Sequence, residues 1–215
     1  MIVPSRSCQL GVVCGGLSEK SVPLAGGLLL LPSDAQEWNM RHDKYARIER
    51  ERRFLLAQFP SDTTVVRSRH ITDHYIESTS LRLRRQLYND GLITFKLTQK
   101  LPQRGSGAQQ GFITSMYLSR DEFEVLAQLP ASKLTKTRFS MPPFGIDVFE
   151  GPFQGLILAE AEFDSATAAE ALVVPTFVTA EVSADDRFTG GQLAQASWQD
   201  IQSWLLEYGI VLRPS

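Results

Sequence analysis

A chain of 215 residues, 43% hydrophobic and 21% charged, has the makeup of one globular domain with an extension, which excludes a disordered polymer and leaves no room for two large domains. Its net charge of -2 argues against a general nucleic-acid binder, so any concentration of positive charge has to be local. Both cysteines, Cys8 and Cys14, fall in the first segment, which excludes a disulfide framework or zinc cluster in the domain and fits a reducing cytoplasm.

Residues 1–39 are rich in Gly, Ser and Pro and show no sustained period. They read as a poorly ordered extension, or as the product of an upstream start assignment with Met40 as the working initiator. The apolar stretch 22–32 is too short to span a bilayer and is interrupted by Gly26 and Gly27. A secretory leader built on Leu28–Leu31 would need a denser group of positive charges before it. The domain is placed at 40–215.

The first strand is expected over 48–56, Ile-Glu-Arg-Glu-Arg-Arg-Phe-Leu-Leu. Strand alternation puts Glu49, Glu51 and Arg53 on one face and Ile48, Arg50, Arg52 and Phe54 on the other. An ordinary half-buried strand has one apolar face, whereas this one gathers charge of both signs, and closely spaced carboxylates are oxygen ligands for a divalent cation. A loop carrying Pro60 leads to a second extended segment over 65–75, with His70 and His74 read as surface or core histidines without a role.

Arg82 and Arg84 share one face of the next strand, and Asp90-Gly91 supplies the positive φ of a hairpin turn. The strand at 92–100 sets Thr94, Lys96, Thr98 and Lys100 against Ile93, Phe95 and Leu97. After a glycine-rich loop at 102–111 comes a strand at 112–118. Ser119 and Glu122 form a capping box for a helix over 120–128, with Phe123, Leu126 and Ala127 as its packing stripe.

A strand over 133–139 places Lys136 and Arg138 on one face, and 145–149 carries Asp147 among apolar neighbours. In 156–163, Glu160 and Glu162 form a second carboxylate pair. Asp164 is expected to cap a short helix to Ala171, 177–182 reads as a late strand, and terminal helical segments contain Trp198 and Trp204.

Burying this many charges against an apolar layer is costly unless they pair, bind ions or face water. The arrangement that resolves this is α+β: a closed antiparallel β-barrel, a tunnel with a charged lumen and helices packed outside. Arginine forks, lysine point charges and paired carboxylates together suit a phosphate chain carrying a divalent metal, and no Gly-rich phosphate loop is present.

These residues resemble the CYTH family, the triphosphate tunnel metalloenzymes. The family's Glu-x-Glu-x-Lys signature is matched by Glu49-Arg-Glu51-Arg-Arg53, with arginine in place of the usual lysine. Arg82-Leu-Arg84, Lys96, Lys136-Thr-Arg138, Asp147, Glu160-Ala-Glu162 and a late Arg187 then follow in order, across roughly 45–194. The resemblance implies metal-dependent hydrolysis of linear triphosphates, with inorganic tripolyphosphate foremost and nucleoside or thiamine triphosphate as other substrates.

It further implies Mg²⁺ or Mn²⁺ on Glu49, Glu51, Glu160 and Glu162, and phosphate binding by Arg53, Arg82, Arg84, Lys96, Lys136, Arg138 and Arg187. The catalytic set is Glu49, Glu51, Arg53 and Asp147. A non-catalytic polyphosphate- or nucleotide-binding module, favoured by Arg53, and a class IV type adenylate cyclase are the alternatives. A homodimer is compatible with the sequence; no membrane or specific nucleic-acid partner is expected.

Overall fold

The computed structural model describes residues 45–61, 64–102 and 110–211. The extension expected over 1–39 and the start at Met40 lie outside the described residues. Eight strands build the wall: β1 (Arg47–Leu55), β2 (Arg67–Ile76), β3 (Leu81–Tyr88), β4 (Ile93–Pro102), β5 (Gln110–Leu118), β6 (Ala131–Met141), β7 (Phe144–Phe149) and β8 (Ile157–Glu162). Their order is β5-β4-β3-β2-β6-β7-β8-β1, all antiparallel, and β1 also pairs with β5. That last pairing closes the barrel.

β1 achieves closure by dividing its length. Residues 51–55 pair with β8, whereas 47–50 pair with β5. The free edge left beyond β5 takes a two-residue strand, β9 (Ala180–Glu181), opposite Leu55 and Phe54. The late strand expected over 177–182 is therefore shorter, because only the end of β1 is available to it. The hairpin between β3 and β4 turns at Asp90-Gly91 as the sequence suggests: Gly91 has φ +87°, and Asp90 accepts a hydrogen bond from the Leu92 backbone N at 3.0 Å.

Helix α1 (Arg120–Leu126) opens on the anticipated capping box between Ser119 and Glu122. Its Phe123 packs outside the barrel on Leu83 and Phe95, with ring centroids 4.6 Å apart for the two phenylalanines. Helix α2 (Ala166–Glu170) is capped by Ser165, not Asp164: the Ser165 hydroxyl accepts from the Ala168 backbone N at 3.1 Å. The cap needs an oxygen three residues before the amide it serves, and Ser165 has that spacing. Leu172 and Phe177 beyond it cover Phe54, Phe144 and Ala159.

The last helices, α3 (Gly190–Leu193) and α4 (Trp198–Glu207), depart from the expectation that helices lie against the uncharged face. Leu193 of α3 and Ile201 and Leu205 of α4 pack on Leu55, Leu134, Phe149 and Leu158. By strand alternation these four share the face that carries Arg53, Lys136, Asp147 and Glu160, each two residues away. The charged face thus becomes apolar at one end, and the C-terminal helices bury that end. Gly190 permits the approach, since a Cβ there would lie 1.9 Å from the Tyr75 hydroxyl.

Candidate functional site

The register gathers most of the expected residues on one face. Glu51 stands opposite Glu162 and Arg53 opposite Glu160 across β1 and β8. Arg138 faces Asp147 across β6 and β7, Asp73 faces Arg84 across β2 and β3, and Arg84 faces Lys96 across β3 and β4. Directly opposed side chains in an antiparallel pair are near neighbours, so these sequence-distant charges interact. Arg53 is 2% exposed, Lys136 5%, and Asp73 and Asp147 are fully buried.

Two buried aspartates organise the cations. Asp73 accepts from Arg84 Nε at 2.6 Å and Nη2 at 2.7 Å, and Arg82 Nε lies 3.7 Å away. Asp147 accepts from Arg138 Nε at 2.6 Å and Nη2 at 2.5 Å, and also from Lys136 Nζ. Arg138 reaches further to Glu160. Gly145 leaves space for that path, as a Cβ there would meet Arg138 Cδ at 3.2 Å. Such forked, charge-assisted bonds fix the guanidinium planes before any ligand arrives.

The carboxylates divide electrostatically. Burial pushes Asp73 up, but Arg84 and Arg82 outweigh it and hold the carboxyl well below the usual range. Glu160 is likewise held low by Arg138, Lys136 and Arg53 against burial. Glu51 goes the other way: burial raises it, reinforced by Glu160 and Glu49 and opposed by Lys100 and Arg53. Burial and Asp73 push the Tyr75 hydroxyl up to about 12.

Glu49 pairs with Lys100 at 2.6 Å, and Glu51 lies 4.0 Å from the same ammonium. This fixes Lys100 on the charged face, opposite Ile113. Arg53 donates to Glu51 Oε1 from Nε at 3.2 Å and Nη2 at 3.1 Å, while its backbone N donates to the Ser183 hydroxyl. Lys96 has no ion pair among the described residues; burial, Arg84 and Arg82 lower its proton affinity. Glu162 is exposed and its pairing with Arg47 is long, 3.9 Å.

Arg187 is not brought to this group. Its guanidinium spans Asp185 and Glu207, and Tyr208 donates to Asp185 at 2.8 Å, beside a groove of ≈ 390 Å³. His70 hydrogen-bonds Glu150 at 3.1 Å, and His74 packs on Phe123. Two site residues are additions to the expected set: Asp73, and Arg69 opposite Arg138. Both share alternation with Arg67 along β2, which is the sequence signal for them.

Among the described residues no group of three His, Cys, Asp or Glu side chains is gathered to hold a metal by itself. The donor chemistry still fits a hard divalent cation. Small hard cations are held by one or two carboxylates completed by phosphate oxygens, and Glu51 is a largely buried carboxylate whose charge is disfavoured by its burial, by Glu160 and by Glu49.

No family model matches the chain. It is 33% identical over 157 residues to the inorganic triphosphatase of Nitrosomonas europaea, an alignment covering 68% of this chain and 96% of that protein. The chain belongs to the inorganic triphosphatase family. Among solved structures, it resembles inorganic triphosphatase NE1496 at 28% identity and a TM-score of 0.47, over 69% of this chain and 95% of that one. It also resembles the PH1819 protein of Pyrococcus horikoshii OT3 at 19% identity and a TM-score of 0.42, over 78% and 94% of the two chains. For a member of the triphosphatase family, the site combines rigid cations set by Asp73 and Asp147 with a less compensated carboxylate edge at Glu51. No helix among the described residues is long and apolar enough to cross a membrane.

Proposed function

We propose that this protein hydrolyses linear triphosphates within the barrel, in the manner of the CYTH triphosphate tunnel metalloenzymes, with inorganic tripolyphosphate as its preferred substrate. The observation that carries the reading is the convergence of Arg53, Arg82, Arg84, Lys96, Lys136 and Arg138 from four strands onto one face. Lys96 and Arg69 on that face have no carboxylate partner among the described residues, so its cations are compensated only in part. A polyanion completes the charge balance, and no covalent nucleophile is needed.

The chain's own residues divide the work. Arg84 and Arg138, held by Asp73 and Asp147, present fixed N–H donors to phosphate oxygens. Lys96 and Lys136 would add point charge that stabilises negative charge developing on the phosphate chain. Asp147 acts by positioning, because Arg138 and Lys136 already occupy its oxygens. Glu49, Glu51 and Glu160 would hold Mg²⁺ or Mn²⁺ against the substrate. The ion, when bound, supplies charge neutralisation and acidifies the attacking water.

Arg53 favours a second reading. Its bonds to Glu51 engage a carboxylate the metal would need, which suits a protein that binds polyphosphate without turnover. The deciding assay is phosphate release from tripolyphosphate, ATP and thiamine triphosphate with Mg²⁺ or Mn²⁺. Release that requires metal, is greatest on tripolyphosphate and disappears in Glu51→Ala is the expected result. Absence of release from wild type, with release from Arg53→Lys, would replace the hydrolase by the binder.

A further inference from the structure

Arg69, like Lys96, is a cation of the charged face without a carboxylate partner among the described residues. It makes no hydrogen bond or ion pair among the described residues, and its Nε is buried without a partner. Its cross-strand neighbour on β6 is another cation, Arg138, which Asp147 and Glu160 already engage. Burial and Arg138 lower the proton affinity of the Arg69 guanidinium, with Arg84, and outweigh the opposing effects of Tyr88 and Asp147. A partly buried cation among cations is costly unless an anion joins it.

Stacking does not account for it. Tyr88 faces Arg69 across β3, but the guanidinium carbon is 5.8 Å from the ring centroid, while that of Arg67 sits at 3.9 Å. Nor does Arg69 serve the barrel's apolar end. On β2 the charged-face positions run Tyr75, Asp73, Ile71, Arg69, Arg67, and Tyr75 packs with the cluster that α4 covers. Arg69 lies four residues beyond Asp73, roughly 13 Å along the strand at about 3.3 Å per residue, and away from α4.

We propose that Arg69 binds a fourth phosphate, so that linear polyphosphates longer than three units are ligands of this chain. The inference rests on the triphosphate reading of the site. A triphosphate running from Arg84 ends at Arg138, the cross-strand neighbour of Arg69, and a further unit brings an anionic group to the unused donors of Arg69. Gln86, hydrogen-bonded to Thr94 at 3.1 Å and Tyr88 at 3.4 Å, lines the same side with neutral polar groups that tolerate the added chain.

Titration calorimetry with tripolyphosphate and tetrapolyphosphate, without divalent metal, tests this apart from turnover. Wild type should bind tetrapolyphosphate about 10-fold more tightly, the worth of one charge-assisted contact. Arg69→Ala should remove that preference while leaving tripolyphosphate affinity within about 3-fold, and Arg69→Lys should restore part of it. Equal loss on both ligands, or no loss on either, would overturn the assignment. Wild type that binds neither ligand overturns the triphosphate reading with it. Wild type that binds both but releases no phosphate with Mg²⁺ or Mn²⁺ overturns only the hydrolase, and the Arg69 comparison still decides.

Discussion

Arg53 and Leu55 on β1, Asp147 and Phe149 on β7, and Lys136 and Leu134 on β6 are pairs separated by a single residue, and each pair shares one face of the barrel wall. One member of each pair belongs to the ionic group; the other is buried under the C-terminal helices. The contrast shows how one face serves two ends. The apolar end supplies burial energy and closure, while the ionic stretch is held by mutual neutralisation that the proposed polyanion would complete. Changes at one end should move stability, and changes at the other should move ligand affinity.

The largest expected effect tests whether the ionic stretch is held together by its own counter-ions. Asp73→Asn leaves Arg84 without its buried partner and should cost about 3–5 kcal/mol at neutral pH, read by urea unfolding. The sign of the pH dependence follows from the depressed carboxyl: its folded value lies below the ordinary 3.8. Its contribution is present above about pH 4 and is lost as pH falls through the folded value. The gap between wild type and Asp73→Asn should therefore narrow below pH 4. A gap that stays constant down to pH 3 would mean that Asp73 acts through packing alone.

Leu205→Ala should come next, costing about 3 kcal/mol by opening a cavity where α4 meets Leu55 and Phe149. The comparison predicts that the affinity of the folded variant for tripolyphosphate is unchanged. A large affinity loss in calorimetry, at a temperature where the variant is folded, would show that the two ends are coupled.

Much of this division is written in the sequence and part of it is not. Alternation in 49–53, 82–84, 136–138 and 160–162 identifies the charged face, because a strand has only two faces and the charges recur on one of them in each segment. The same alternation continues to Leu55 and Phe149, so the switch from charge to apolar character on one face is legible. Which helix covers it is not: the buried stripe of α4, Ile201 and Leu205, requires an apolar partner without naming one. Arg69 and Asp73 are visible as a period-2 pattern, but their meaning depends on cross-strand register with Arg138 and Arg84, which is set by long-range pairing. Arg187 illustrates the converse. Its place late in the order of basic residues matches the pattern, yet Asp185 and Glu207 lie close enough to take its guanidinium.

Lys96 gives the smallest effect and the sharpest sign. It carries a partly buried charge opposite Arg84, lacks an ion pair among the described residues, and its ammonium lies 5.3 Å from the centroid of the Tyr117 ring. Lys96→Met keeps the length of the side chain and removes the repulsion from Arg84 and Arg82. The unliganded variant should be more stable by about 1 kcal/mol, since replacing a poorly compensated buried charge by an apolar isostere is neutral or stabilising. Tripolyphosphate affinity should fall about 10-fold, the loss of one charge-assisted contact. Opposite signs in unfolding and in calorimetry are what a residue retained for an anion predicts. A loss in both would place Lys96 with Leu55 and Leu205, as part of the scaffold.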